Sequence, residues 1–353
     1  MRIRFLILIS VAIVGISNRS GAGECPQFFN GQEVGTIAYG EIDEASGIAV
    51  SKKNPDVFWT HNDDGPPHIF AFNSKGKHLG VYSLVGANNR DWEDIAIGPG
   101  PDPNQDYIYV GDIGDNGASY PSVNVYRVPE PDVDPEQGPV NLDLNGVETI
   151  TLEYPGGPRD AETLLVDPNN GDIFIVTKRN SPSEVYRAAY PQSTTQTITM
   201  AQVATIEQTF LTAGEISLKG DLIILRGYIS GYCWRRSPGT NLWDAFSCDP
   251  CQIPIIGWPV EPQGEAIGFD ADGCGYFTIS EGLGQKIYYF ARDGSCPLAD
   301  IDDDGLINIK DLALLGENWL AETGEGDFNG DGLTEGQDLV ILLDDWLWYQ
   351  RWP

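Results

Sequence analysis

The stretch Glu93-Asp-Ile-Ala-Ile97 sets a glutamate at the head of a short apolar run, and its recurrence decides the fold. The pattern returns as Glu44-Ala-Ser-Gly-Ile-Ala-Val50, Glu162-Thr-Leu-Leu-Val-Asp167, Glu215-Ile-Ser-Leu218 and Glu265-Ala-Ile-Gly-Phe-Asp270. Successive glutamates stand 49, 69, 53 and 50 residues apart. A four-stranded propeller blade takes about 40 to 50 residues, so each glutamate marks the innermost strand of one blade.

Working outward, a second β-rich run follows each glutamate, over residues 57–60, 107–111, 173–177, 222–225 and 276–279. Third runs lie over 69–72, 123–128, 184–188 and 286–290, and outer strands over 78–84, 149–154 and 195–206. They alternate or run apolar between turn residues, as strands do. The fifth unit stops one strand short. Residues 35–39 would supply the missing strand, closing the ring and removing an exposed edge. Five repeats are counted, and the long second unit leaves room for a sixth blade. The fold class is mainly β, a propeller followed by a small all-α module.

If the second strand of a blade runs antiparallel to the first, it ends on the face where the glutamate begins. The segments at those ends are polar: His61-Asn-Asp-Asp-Gly65, Gly111-Asp-Ile-Gly-Asp-Asn-Gly117, Lys178-Arg-Asn180, Arg226-Gly-Tyr228 and Ser280-Glu-Gly282. Five glutamates and five loops should therefore converge on one mouth of the channel. Crowded carboxylates repel, so protonation, a lysine or arginine, or a hard cation bound through oxygens must offset them. Calcium is the expected cofactor, with Glu44, Asp63, Asp112, Asp115, Glu162 and Glu215 as candidate ligands and Asn62, Asp64, Asp91 and Asn116 completing the pool. Lys178, Arg179 and Arg226 are candidates to hold an anionic group of a substrate. No Gly-x-Ser-x-Gly motif is present, so catalysis would be metal-assisted, with His61, Glu93 and Glu265 as candidate catalytic groups. Taken singly, each carboxylate also reads as a cap on a turn amide.

The charge balance narrows the partners. With 52 Asp and Glu against 21 Lys and Arg, the net charge of -31 disfavours nucleic acid and anionic membrane surfaces. Residues 1–22 read as an export signal: basic Arg2 and Arg4, an apolar stretch from Phe5 to Ile16 too short to span a bilayer, and small residues at Ser20-Gly-Ala22. A secreted chain in an oxidising compartment makes disulfides the expected use of the six cysteines. Cys25 and Cys296 bracket the larger domain, 25–296, and are placed to tie its ends. Cys248 and Cys251 form a C-x-x-C pair, read as disulfide chemistry rather than zinc.

The runs Ala45-Ser-Gly-Ile-Ala49, Thr60-His-Asn-Asp63, Asp91-Trp-Glu-Asp-Ile-Ala96, Tyr109-Val-Gly-Asp-Ile-Gly-Asp-Asn116, Val125-Tyr-Arg-Val-Pro-Glu-Pro131 and Asp160-Ala-Glu-Thr-Leu-Leu-Val166 resemble a bacterial family of secreted propellers. That family is similar to esterase-like, phytase-like and TolB-like propellers and to six-bladed calcium-dependent lactonases. The resemblance covers roughly residues 33–292 and implies six blades.

Residues 298–353 change character. Asp300, Asp302, Asp304, Gly305, Leu306, Asn308 and Asp311 occupy positions 1, 3, 5, 6, 7, 9 and 12 of a calcium loop. Asp327, Asn329, Asp331, Gly332, Leu333, Glu335 and Asp338 repeat it 27 residues later. Each loop opens an apolar helix, expected over 312–320 and 339–347. Pro297 before the first loop and Gly324 and Gly326 before the second leave no entering helix of the EF-hand kind. This duplicate resembles a type I dockerin, which implies docking to a cohesin-like partner, often in polysaccharide degradation. Ile309-Lys310 and Gly336-Gln337 depart from the Ser-Thr pairs common in cellulosomal members. The expected function is an exported hydrolase of an ester, phosphoester or sugar-derived substrate. The alternative is a non-catalytic propeller that binds a carbohydrate-derived or other small ligand.

Overall fold

The computed structural model describes residues 25–271, 273–292, 299, 301, 307–321, 326–328 and 333–344. Among these, twenty-two strands form five sheets arranged as the blades of a propeller. The first strand, β1 (Gln32–Thr36), belongs to the last blade. Blade one carries β2 (Ala45–Val50), β3 (Phe58–Asn62), β4 (His68–Phe72) and β5 (His78–Leu84). Blade two carries β6 (Trp92–Pro99), β7 (Asp106–Asp112) and β8 (Val123–Pro129); β9 (Val140–Leu144) leaves it, and β10 (Glu148–Glu153) returns. Blade three is β11 (Ala161–Val166), β12 (Ile173–Thr177) and β13 (Ser183–Ala188), then β14 (Ile198–Thr199), which crosses to blade two, and β15 (Ala201–Ile206). Blade four is β16 (Leu211–Ile216), β17 (Leu222–Gly227), β18 (Gly231–Arg235) and β19 (Cys251–Ile253). Blade five is β20 (Gly264–Phe269), β21 (Gly275–Ser280) and β22 (Lys286–Ala291), completed by β1 antiparallel to β22 with Thr36 opposite Lys286.

The ring has five blades, so the sixth that the family resemblance implied is absent. The long second unit is used differently. After β8 the chain crosses to blade one, where Asn54 and the Trp59 indole donate to the buried Glu130 carboxylate at 3.2 and 2.8 Å. β9 then pairs parallel with β5 as a fifth, outermost strand, and the chain returns to blade two as β10. β14 adds a short parallel edge to β10. The second unit's extra strand β9 thus thickens the rim of blade one, and β14, from the third unit, that of blade two. The closing strand also begins three residues before the expected 35–39.

Apolar layers fill the spaces between neighbouring blades. Trp59, Tyr82 and Trp92 lie between blades one and two, Tyr109, Leu164 and Tyr186 between two and three, and Phe174, Leu225 and Trp234 between three and four. Ile224, Phe269 and Tyr276 fill the next space, and Phe58, Phe72 and Phe277 the last. Each such side chain contributes about 1.5 to 3 kcal/mol by leaving water, and alternation along the strands sends successive residues to opposite interfaces.

The disulfide pattern corrects the expected end-to-end tie. Cys25 is bonded to Cys251 on blade four's outer strand, with Cα atoms 5.5 Å apart, so it does not pair with Cys296, which lies outside the described residues. Cys248 and Cys251 do not pair with each other: Cys248 is an exposed free thiol and Cys233, opposite Cys251 in the ladder, a buried one. Cys274 is disulfide-bonded as well.

In the tail, α1 (Ile309–Glu317) and α2 (Gly336–Asp344) each start three residues before the expected helices, and Asn308, at the ninth position of the first loop, caps α1 by accepting from Lys310 N. Both twelfth-position aspartates are fully buried and make the same two bonds. Asp311 accepts from Ile301 and Asn308 amides, Asp338 from Phe328 and Glu335 amides, all at 2.8 Å. Asp327 and Leu333 are described; Asp300, Asp302, Asp304, Leu306, Asn329, Asp331 and the expected export signal lie outside the described residues. Among the described residues no helix is long and apolar enough to cross a membrane.

A maleimide added to native protein should label Cys248 within minutes and Cys233 only after denaturation, read by peptide mass spectrometry. Equal rates at both would mean that β18 is not packed inside blade four.

Candidate functional site

Each innermost strand makes the same irregularity near its start. The ladder to the second strand skips one residue at Ser46, Glu93, Glu162, Thr212 and Glu265, leaving a bulged residue at one level of all five blades. A bulge re-aims a side chain, and here it does so five times around one axis. This register corrects the repeat as read from the glutamates. Glu44 stands two residues before the bulge of its blade and is exposed, while Glu215 stands three residues after, towards the opposite end of the channel. Ser46 and Thr212 take their places in the ring. Aligning Ile48 with Ile95, Leu164 and Ile267 would have found Ser46; blade four has Gly214 at that position, so no such residue marks Thr212.

One residue below the bulge the channel is closed. Asp94, wholly buried, accepts from its own blade at Ile95 N (2.9 Å), from blade three at Leu164 N (2.9 Å) and from blade four at Gly214 N (3.3 Å). A Cβ on Gly47 of blade one would come within 2.9 Å of Asp94 Oδ1. One carboxyl group therefore touches four blades. Burial pushes its pKa well above the usual carboxylate range, opposed by these amides. Lower down, Glu215 Oε2 accepts from Phe269 N at 2.5 Å, and burial raises Glu215 to about 8.

Above Asp94 a hydrogen-bonded chain crosses the mouth. Ser46 Oγ donates to Glu265 Oε2 at 3.3 Å, Tyr228 Oη donates to Glu265 Oε1 at 3.0 Å, and Lys178 Nζ donates to Tyr228 Oη at 2.9 Å and contacts Glu162 Oε1. Blades one, five, four and three are linked in that order. Blade two contributes Glu93, beside Asp91 and Gly114. A Cβ on Gly114 would fall 2.2 Å from Glu93 Oε1 and 2.5 Å from Asp91 Oδ2, so only glycine fits in the Gly111–Gly117 loop at that point. Glu93, Glu162 and Glu265 are 5%, 3% and 5% exposed, and Glu162 Oε2 has no hydrogen-bond partner. Burial and then Glu162 raise Glu93 well above its usual range. Burial alone would lower Lys178, but Glu162 and Tyr228 more than offset that and hold it charged. The ammonium sits on Glu162, so the surplus proton belongs on Glu93.

At the junction of blades five and one, Asp63 lies against Glu44 and Glu281 against Glu265. Burial, then these neighbours, raise Asp63 to about 7 and Glu281 to about 9.

The other expected site residues fall elsewhere. His61 is fully buried against Trp92, with burial lowering it to about 4, and it has no route to a substrate. Asp112 accepts from the amides of Arg90 and Asp91, and Asp115 from those of Ser119 and Tyr120, so both cap turns. Arg179 is on the mouth but binds Asp160 at 2.5 Å and contacts Asn116. Arg226 is sealed inside, donating to Ala266 O at 3.0 Å and Glu261 Oε2 at 3.2 Å, and staples blade four to blade five.

A calcium ion does not fit this mouth. Lys178 already stands among the carboxylates as their cation, and two expected ligands are spent on turn amides. Among the described residues no three His, Cys, Asp or Glu side chains come together as a metal-ligand group.

Replacing Asp94 by Ala leaves three buried amides without an acceptor and should cost about 3 kcal/mol or more, measured by denaturant unfolding. Wild-type stability should also fall between pH 7 and 9. Glu215 and Glu281 have folded pKa values near 8 and 9 against about 4 unfolded, so above pH 7 the folded state still holds protons that the unfolded state has lost, and stability keeps falling until those groups ionise. Asp63, near 7, has contributed its loss by the start of that window. His61 is neutral in both states over that window and contributes nothing to the slope. A melting temperature unchanged across it would contradict the assignment of protons to these groups. No known family pattern matches this chain, and no curated protein matches it in sequence.

Proposed function

We propose that the propeller mouth is a metal-free acid–base site that hydrolyses a small, hydroxyl-rich substrate outside the cell, and that the tail binds two calcium ions and docks to a cohesin-like partner. The observation that carries the first part is the hydrogen-bonded network of Glu162, Lys178, Tyr228 and Glu265 from three blades, with the buried Glu93 of a fourth blade within its electrostatic reach. Buried titratable groups with displaced protonation gather at working sites more often than by chance.

The roles follow from the surroundings of each group. Glu93 contacts no cation and keeps its proton, which suits a general acid to a leaving oxygen. Glu265, oriented by Ser46 and Tyr228, suits the base that draws a proton from water. Lys178 steadies negative charge at the reacting centre. A phosphoester is disfavoured, because Lys178, Arg179 and Arg226 are each matched by a carboxylate. A sugar-derived ester, lactone or glycoside fits better. The slight exposure of the three glutamates supports the second reading, a propeller that binds such a ligand without turning it over.

For the tail, the support is the duplicated pair of bonds holding Asp311 and Asp338 buried at the twelfth position of each loop. Asn308, Asp327 and Glu335 add hard oxygen donors of the kind calcium takes. The export pattern of residues 1–22 and the Cys25–Cys251 disulfide support secretion.

A panel of sugar lactones, sugar esters and glycosides assayed with calcium and with chelator tests this reading. Turnover should persist in chelator and drop about 100-fold or more in Glu93→Gln and in Glu265→Gln. Activity abolished by chelator, or unchanged in both variants, would reject the mechanism; saturable binding with no turnover would favour the second reading.

Calcium titrated into the full chain should show two tight sites, and Asp311→Ala or Asp338→Ala should each remove one. Two sites surviving both substitutions would refute the tail assignment.

A further inference from the structure

The ring is closed by a segment that a disulfide fastens. β1 completes blade five, and the residues before it continue along that blade: Phe28 forms a bridge with Arg292, and the Phe29 amide donates to Ala291 O at 2.8 Å. Cys25, at the start of this segment, is bonded to Cys251 on the outer strand of blade four. The cross-link spans 226 residues of sequence and ties the closing segment to the neighbouring blade.

Cys251 has a second thiol within reach. In the β18–β19 ladder it stands directly opposite Cys233. Residues so placed in an antiparallel pair have Cα atoms about 4.5 or 5.5 Å apart and side chains on one face of the sheet. A disulfide takes Cα separations of about 4.4 to 6.8 Å, so Cys233 meets the requirement without backbone movement. Cys233 is fully buried in the apolar layer between blades four and five, and both Cys251 and Phe28 pack against that layer. Cys248 does not meet the requirement. Its backbone is extended (φ -104°, ψ 155°), and Asp249 precedes Pro250, which favours extended backbone there too. Three extended residues span about 10 Å, beyond the limit of about 7 Å for a bridge.

We propose that Cys251 is shared between two partners, and that exchange of the Cys25–Cys251 disulfide for a Cys233–Cys251 disulfide unfastens the closing segment of the ring. The exchange balances within the chain. The Cys233 thiol gives up its proton, its sulfur attacks Cys251 Sγ, the bond from Cys251 to Cys25 breaks, and Cys25 leaves as a thiolate that takes up a proton. No oxidant or reductant is consumed. Burial pushes the Cys233 thiol up to about 12, with Asp221 adding to this and Arg235 and Arg292 opposing it, so the packed chain keeps the fastened form. Attack waits on the fraying of β19, a three-residue strand at the outer edge of blade four.

Disulfide mapping by peptide mass spectrometry without reduction tests this on two forms of the full chain, both produced in an oxidising compartment. In Cys25→Ser the Cys233–Cys251 cross-link should appear, with Cys248 still open to maleimide. In wild-type protein held with a trace of glutathione, the Cys25–Cys251 peptide should give way in part to Cys233–Cys251. Cys25 should gain maleimide reactivity in step, with the total of free thiols unchanged, and proteases should cut before Gln32 more quickly. Circular dichroism identifies a variant that has failed to fold, and the wild-type experiment then decides alone. Cys233 and Cys251 both left as thiols in folded Cys25→Ser would overturn the proposal, as would a Cys248–Cys251 cross-link. Wild-type pairing that stays unchanged in glutathione, or that opens to free thiols without forming Cys233–Cys251, would overturn it as well.

Discussion

Asp94 is the group on which the rest of the molecule is arranged. Five blades close a ring so tight that innermost strands approach across the axis as well as around it. Asp94 of blade two reaches Gly214 N of blade four at 3.3 Å, and a Cβ on Gly268 of blade five would meet Ile48 O of blade one at 2.8 Å. The space left admits one small polar side chain, and Asp94 fills it while accepting from three blades. A sixth blade would widen the axis and strand these amides without an acceptor, each at a cost of about 1 to 3 kcal/mol. The fate of the long second unit is consistent with this. Its additional strand β9 attaches to the outer edge of blade one, where the ring can accept it without changing its count.

Closing the axis confines the chemistry to one end. The channel is not a passage, because Asp94 separates the mouth network from Glu215 and its distant cation Lys52 below. Above the plug, carboxyl groups from several blades are forced together with little water, and three means of relief operate at once. One is an internal cation, Lys178 on Glu162. Another is hydroxyl donation from Ser46 and Tyr228 to Glu265. The last is retention of protons on Glu93, Asp63 and Glu281. All three are supplied by the chain's own groups.

Much of this architecture was readable from residue order, and the failures have identifiable causes. The period of the glutamate-headed runs located the innermost strands and their number, because that period measures the chain needed for one blade. It misplaced two ring members, since strand register depends on where the ladder slips. Glu44 and Glu215 look alike in sequence, yet lie on either side of the bulge. Asp112, Asp115 and Arg226 were given functional roles on residue type alone. Backbone amides claim the first two and Glu261 the third, and nothing local in the chain announces those partners. Tyr228 stands in the Arg226-Gly-Tyr228 loop with no motif that marks its hydroxyl. Only the fold brings its hydroxyl between Lys178 and Glu265.

The same comparison explains why the two acidic regions of the chain deserve different treatment. In the tail, aspartates recur at fixed short spacings and the twelfth residue of each loop is held by the same pair of amides, so the acids are ordered by their own local backbone. At the mouth they arrive from strands far apart in sequence, and blade packing sets their positions before any ligand is present. A loop that gathers its own oxygens can adjust to a cation's coordination distances. A ring of bulged strands cannot, and is suited to a rigid network with a few unmet acceptors. Acidic composition alone therefore predicts calcium in both places, whereas the origin of each carboxylate in the fold favours it only in the tail.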